Sequence, residues 1–405
     1  MQQTRFQGVP LSFDIDNLYR EGLPAPEGEW TGIPAFSFVG GNNDEANVPV
    51  AGLSEAATRV FQREGRKLAV YNLGGSPLGH EALRNFICRK LDIRADTKVE
   101  PDEVLITSGS LQGLDLVNDL LLEPGDNVIV EEATYGGMIS RLTRLGVVVH
   151  GVHLDEHGVC PDHLGELLAQ CSAEGRPAKY LYTIPTVQNP TGSCMPLERR
   201  LDILHVMAGY QTAIFEDDCY ADLLWGCPRP PTLWELDDSK TRVIYCGSFS
   251  KSIAPALRVG YLVAESSILQ QILSLKTDAG SGALEQMVVA EYAASHFDDH
   301  AEQLTSVLHE KAQVMAESIE EAFGDAASFD MPQGGIFMWL TFPEDVDTGV
   351  FGAEAARKGI QFNAGAGWSV DPEWGANKMR LCFGNPTADA IREGVKELAE
   401  IMDLS

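Results

Sequence analysis

Between residues 100 and 265 the chain repeats one pattern of apolar and polar positions. A short apolar run, rich in β-branched and aromatic residues, ends in small or polar residues, and a longer stretch with helical spacing follows. The runs fall at 104–107, 127–131, 147–149, 180–184, 212–216 and 243–246. Runs this short and this apolar predict buried strands, and their alternation with amphipathic stretches predicts a mostly parallel sheet flanked by helices. In such sheets ligands gather at the carboxyl ends of the strands. Upstream, 51–92 reads as helix, broken at 71–79 by YNLGGSPLG, a glycine-rich stretch too long for a simple turn. Residues 35–41, AFSFVGG, predict a short strand closing on a flexible Gly-Gly turn. Downstream, helices are expected over 283–296 and 302–323, strands at 335–340 and 379–383, a helix near Ala353, and a last helix from Thr387 toward Ile401. The fold class is α/β: a large domain over 51–295, and a smaller α+β domain over 296–405 joined by an arm, 1–50, that carries an amphipathic start and a Pro/Gly-rich segment from Gly22.

Composition narrows the function. At 405 residues, 44% hydrophobic and 22% charged, the sequence is that of a soluble globular protein with a large core. No run of about 20 apolar residues predicts a membrane span. The stretch MQQTRFQGVPLSFDIDNLYR lacks the apolar centre of a signal peptide, so a cytoplasmic location is expected. A net charge of −29 repels nucleic acid and anionic membrane alike. The eight cysteines are scattered, without CxxC pairs, and are expected to be reduced.

Six short groups fall at the ends of expected strands. Lys251 stands in Ser248-Phe249-Ser250-Lys251, with Arg258 seven residues on. A lysine at a strand end, among hydroxyls and followed by an arginine, suits an amine nucleophile beside a phosphate. Ser108-Gly109-Ser110 lies between a strand and a helix, where backbone N–H groups bind phosphate. Tyr135 follows a strand and offers a face to a planar ring. Gln188-Asn189-Pro190-Thr191-Gly192 presents an amide in a turn. Glu216-Asp217-Asp218-Cys219-Tyr220 offers a carboxylate that would keep a pyridine nitrogen protonated, and a nearby phenol. Arg380, inside a strand, has the planar fork that grips a carboxylate. Each has a plain alternative: a surface lysine, a serine cap, a core tyrosine, ordinary turn chemistry, an acidic helix start, a solvent-facing arginine. Their joint occurrence in this order is the signal. His150, His153, His157 and Cys160 lie close together but match no usual zinc spacing, and no metal is expected.

The strings TSGSLQGLDLV, QNPTG, EDDCY, SFSKSIAPALRVGY and RLCF resemble the fold type I pyridoxal 5'-phosphate (PLP) aminotransferases, nearest the 2-aminoadipate/kynurenine branch. The likeness runs from Phe36 to the end. It implies an aspartate aminotransferase-like fold with a seven-stranded sheet, and a ping-pong transfer of the amino group of an L-amino acid to a 2-oxo acid. Lys251 would form the internal aldimine and shuttle protons, and Asp217 would pair with the ring nitrogen. Asn189 and Tyr220 would bond the ring oxygen, and Tyr135 would stack on the ring. Ser110, the Leu111 backbone, Ser248, Ser250 and Arg258 would hold the phosphate. Tyr71 would reach the phosphate of a partner subunit, implying a homodimer with shared sites. Arg380 and Asn189 would bind the substrate carboxylate, and Gly41 would line the substrate site. Two departures stand out. Leu111 replaces a usual glutamine, and the Gly-Gly turn continues as Asn42-Asn43-Asp44-Glu45-Ala46-Asn47 where relatives carry a Leu/Ile-Pro and a short apolar turn. That arm helps set specificity, so elimination, substitution, oxidation or cyclisation by the same cofactor is the competing chemistry. A ligand-sensing regulator of related fold would carry a DNA-binding module in front, which this acidic sequence does not show.

Overall fold

A computed structural model describes residues 14–20, 23, 26 and 32–403. The amphipathic start over 1–13, and Gly22 and Pro24 of the Pro/Gly-rich segment, lie outside the described residues. The chain divides into a unit of residues 1–33 and a unit of residues 34–405. Within the first, the turn Ile15–Leu18 is capped by Asp14, whose side chain accepts from the Asp16 N–H.

The second unit is built on a seven-stranded sheet. Its strands are β1 Val104–Thr107, β2 Asn127–Glu131, β3 Val148–Val152, β4 Ala178–Thr183, β5 Ala213–Asp217, β6 Val243–Ser248 and β7 Gly260–Val263. They lie side by side in the order β1-β7-β6-β5-β4-β2-β3. Every pairing is parallel except those of β7, which runs antiparallel to both β1 and β6. The apolar run after Arg258 thus completes the sheet. No long crossover helix separates it from β6, so the chain doubles straight back through residues 249–259. That doubling places the candidate lysine in a connecting loop, at the carboxyl end of β6.

Helices cover both faces. They are α1 Val50–Glu64, α2 Glu81–Ala95, α3 Ser110–Leu121, α4 Gly136–Leu145, α5 Pro161–Ala173, α6 Leu197–Met207, α7 Ser266–Leu275, α8 Ala283–Phe323 and α9 Ala388–Met402. One apolar core packs between the sheet and α2, α5 and α6, and another between the sheet and α3, α4 and α7. A third surrounds a four-stranded sheet of β8 Ser328–Phe329, β9 Phe337–Thr341, β10 Asn363–Ala364 and β11 Lys378–Cys382, in the order β8-β9-β11-β10. Phe36 and Phe38 join this third core, and Phe36–Ser37 pairs in parallel with Ile360–Gln361. No helix among the described residues is long and apolar enough to cross a membrane.

Two expectations need correction. The helices expected over 283–296 and 302–323 are one helix of 41 residues. The acidic stretch between them does not break it, because Phe297, Ala301 and Leu304 keep the helical apolar spacing and are buried. Helix α3, whose spacing predicts a start at Gln112, begins two residues earlier at Ser110, because Gly109 (φ 76°) takes a backbone conformation open to glycine and turns the chain directly into it. Ser110 and Leu111 therefore belong to the first helical turn, where N–H groups lack intrahelical partners.

Candidate active site

The strand ends open into a cleft of about 320 Å³, and twelve of the thirteen residues singled out from the sequence line it. Tyr71 does not: it is 83% exposed, beside residues 279–285.

One end of the cleft is made by the loops of β1 and β6. Because β7 pairs with both strands, the ends of residues 249–259 are held against the start of α3. Arg258 donates to the Ser108 carbonyl (3.3 Å) and to the Pro255 carbonyl (3.2 Å). The Ser250 N–H donates to the Ser248 hydroxyl (3.0 Å). A Cβ on Gly109 would run into the Arg258 guanidinium, and one on Gly260 would come within 2.6 Å of Gly109 and Ser110 backbone. Glycines at both positions let a guanidinium, two serines and a helix N-terminus converge, which is the donor set of a phosphate cradle.

Along the middle, Asp217 ends β5. It accepts from the Tyr182 hydroxyl (2.7 Å) and the Cys219 N–H (3.3 Å). Its neighbours point away: Glu216 accepts from the Leu233 and Trp234 N–H groups, and Asp218 pairs with Arg229 (2.7 Å). Strand alternation thus selects the one carboxylate of the three that lines the cleft. Burial holds the Asp217 carboxyl above its ordinary range. Its oxygen and the Cys219 and Cys246 sulfurs lie within 4.8 Å of one another. This follows from register, since Cys246 is the cross-strand partner of Asp217. Of the histidines weighed as zinc ligands, His150 meets Asn127 and His153 stacks on His163.

Lys251 donates from Nζ to the Gly41 carbonyl, and its ammonium lies 5.8 Å from the Tyr220 ring centre. Burial lowers its pKa, favouring the neutral, nucleophilic amine. Tyr220 packs edge-on against Phe337, and Tyr135 lies 5.9 Å from the Trp368 ring.

The far end is built around Arg380 of β11. Its guanidinium is sandwiched between Phe337 (3.9 Å) and Trp368 (3.5 Å). Nη1 donates to Asn189 Oδ1 (3.0 Å), and Nη2 to Asn363 Oδ1 (2.7 Å) and the Gly40 carbonyl (3.1 Å). Its Nε is buried without a partner, and burial brings its pKa down to about 10. A guanidinium that meets only neutral acceptors in a low-dielectric cleft strongly attracts a carboxylate.

Sequence reasoning missed Asn363, Trp368 and the residues behind Asn189. Gln188 donates to Glu131 (2.8 Å) and the Ala133 carbonyl (2.7 Å), and accepts from the Thr191 N–H (2.8 Å). Glu131 also accepts from Thr183 and Ile184. Burial pushes the Glu131 carboxyl up to about 7. Val187 holds φ 59°, costly for a β-branched residue, and sits where Cβ atoms on Gly334 or Gly335 would collide with it. A buried acid at a strand end was the available signal for this support; nothing in sequence spacing marked Asn363.

The profile of "Aminotransferase class I and II" matches residues 41–398. The chain belongs to that family. It is 31% identical to "Aromatic-amino-acid aminotransferase 1" of Thermococcus litoralis, over 90% of this chain and 87% of the relative. It is 33% identical to "2-aminoadipate transaminase" of Thermus thermophilus, over 91% of this chain and 90% of the relative. The solved α-aminoadipate aminotransferase of Thermus thermophilus, complexed with N-(5'-phosphopyridoxyl)-L-leucine, superposes with a TM-score of 0.83 at 31% identity, covering 91% of this chain and 92% of that one. The fold is the aspartate aminotransferase-like fold type I. The protein is an aminotransferase with PLP as cofactor. The cleft fits that cofactor: an anion cradle that no Cβ fills at Gly109, a buried acid and a buried amine lie along one line of strand ends.

Proposed function

We propose that this cleft transfers amino groups, with the singled-out residues dividing the work among cofactor, proton and substrate. Ser110, the Leu111 N–H, Ser248, Ser250 and Arg258 hold the cofactor phosphate. Asp217 keeps the ring nitrogen protonated, with Tyr182 fixing the carboxylate. Tyr135 covers the ring, while Asn189 and Tyr220 bond its phenolic oxygen. When bound, PLP supplies an aldehyde for imine exchange and a cationic ring that absorbs electrons from the substrate Cα. Lys251 supplies the amine for the covalent link and, once released, moves the proton at the substrate Cα. Arg380 binds the α-carboxylate in a fork oriented by Asn189, Asn363 and the two aromatic faces, and Gly41 borders the substrate. The observation that carries this reading is the placing of the Lys251 amine and the Arg380 guanidinium on consecutive carbonyls, those of Gly41 and Gly40. That brings the imine-forming amine and a carboxylate anchor to neighbouring points of one cleft, as one amino acid requires.

The division into a 51–295 domain, and a smaller domain of 296–405 with the arm, belongs to the same proposal. The separate cores of the two sheets support it. So does a homodimer. Tyr71 is exposed with Leu68 and Val70 beside it, as a residue completing a partner's phosphate site would be in an isolated chain. We place the enzyme in the cytoplasm, in keeping with eight unpaired cysteines. The test supplies a panel of amino acids with 2-oxoglutarate and measures glutamate. Transfer from at least one donor is expected. No glutamate from any donor, with the cofactor bound, would assign the cleft to elimination, substitution, oxidation or cyclisation instead.

A further inference from the structure

The segment from Phe38 to Asn47 is tied down at three points. Upstream, Phe38 is fixed to the small sheet: its N–H donates to the Gln361 carbonyl and its carbonyl accepts from the Cys382 N–H, both at 2.8 Å. Then Asn43 Nδ2 reaches the Lys251 and Ile253 carbonyls, each at 3.3 Å, on the loop that carries the nucleophilic amine. Next, Asp44 pairs with Lys311 of α8 at 2.7 Å. Lys311 is 7% exposed and also donates to the Gly384 carbonyl (3.1 Å), whose chain packs under Asn42. Asp44 in addition caps its own turn, accepting from the Ala46 N–H (3.0 Å) and the Asn47 amide (3.2 Å).

These ties bracket the two carbonyls that matter. A strap only a few residues long, anchored on the small sheet at one end and on α8 and the 251–253 backbone at the other, leaves Gly40 and Gly41 little freedom. A Cβ on Gly41 would collide with the Lys251 Nζ, so the backbone itself is pressed against the amine. A buried lysine whose charge meets one carboxylate is not a surface pair of negligible worth, because removing either partner strands the other.

We propose that Asn43, Asp44 and Lys311 are positioning residues: they clamp the strap so that the consecutive Gly40 and Gly41 carbonyls hold Arg380 and Lys251 at a fixed separation. This rests on the roles assigned to those two side chains above. Neither Asp44 nor Lys311 touches the cleft, and they act through the strap.

The test compares the parent with Lys311→Met, which keeps the side-chain bulk, and with Asn43→Ala, a milder change that leaves α8 intact. The first readout needs no cofactor. Cofactor-free protein is treated with an amine-acylating reagent, and modification of Lys251 is followed by mass spectrometry against the exposed Lys358. Releasing the strap uncovers Lys251, so its labelling rises roughly fivefold or more in Lys311→Met while Lys358 is unchanged. The second readout is steady-state kinetics. KM for the amino donor rises roughly tenfold, as expected when a charged group loses one fixed hydrogen-bond partner. Asn43→Ala moves both quantities the same way by less, and Lys311→Arg, which keeps the charge, returns most of the loss. Should the variants only melt earlier, with Lys251 labelling and KM matching the parent, the clamp is structural and the proposal falls. A parent that transfers no amino group, but whose Lys251 still becomes reactive in Lys311→Met, would overturn the functional reading and leave the clamp standing.

Discussion

The two ends of the cleft are built in different ways. At the phosphate end, the residues lining this cleft come from two neighbouring segments, 108–111 and 248–258, at the strand ends of one sheet. At the carboxylate end, Arg380 sits in another sheet and is held by Asn189 from the turn after β4, Asn363 from β10, Trp368 from the segment after it, and Gly40 from the strap. The first end is fixed by local geometry, two glycines and an antiparallel doubling-back. The second is assembled from four separate pieces of chain. Cofactor binding should therefore tolerate little change at single backbone positions, whereas substrate binding should degrade in steps as each piece is loosened.

The largest effect is expected at the assembled end. Arg380→Ala removes the substrate's carboxylate partner, a loss of about 2–5 kcal/mol, or roughly 30- to 5,000-fold in kcat/KM. Cofactor affinity, followed by visible absorbance, should stay near the parent's. Equal losses in both would erase the distinction between the two ends. Next comes Trp368→Ala, which strips one face from the Arg380 sandwich. A desolvated cation–π contact is worth about 2 kcal/mol, so KM for the amino donor should rise roughly 10- to 30-fold, with Trp368→Phe recovering most of it. At the opposite end, Gly109→Ala forces a side chain into a backbone region reserved for glycine. At about 1–3 kcal/mol of strain, the cofactor dissociation constant should rise roughly tenfold or more, measured by absorbance titration.

Those two ends also differ in how far they could be read from sequence. Ser110, Ser248, Ser250, Lys251 and Arg258 are close neighbours of strand ends, and strands announce themselves by short apolar runs. Asp217 was separable from Glu216 and Asp218 only through the family likeness; in the fold, alternation along β5 does it. Asn363 and Trp368 carried no signal, because what places Asn363 is the pairing of β10 with β11, and Trp368 follows in the turn that β10 leads into. Trp368 is stitched to the other sheet when its carbonyl accepts from the Thr134 N–H (2.9 Å). The unbroken α8 was missed for a related reason: the acids at 298 and 299 face outward while Phe297 and Ala301 stay in the core.

The smallest expected effect concerns the support behind Asn189. Burial lifts the Glu131 carboxyl from 4.5 in the open chain to about 7 in the fold, so the folded state keeps this proton longer. Stability should fall as pH climbs through that window and level off above it. Glu131→Gln removes this group's share of the slope. Denaturant unfolding at several pH values measures it, and Glu216, lifted to about 7 by burial, contributes in the same direction and remains in the variant. An unchanged slope would mean that Glu131 is not the buried acid that ties Gln188 and the 188–192 turn together.

The central claim is that one buried amine makes the covalent link. The direct measurement is borohydride reduction of the PLP-loaded protein, followed by proteolysis and mass spectrometry of the pyridoxyl-modified peptides. The account predicts a single modified site, Lys251, and no visible absorbance band to reduce in Lys251→Ala. Modification spread over several lysines, or concentrated on any other, would contradict it.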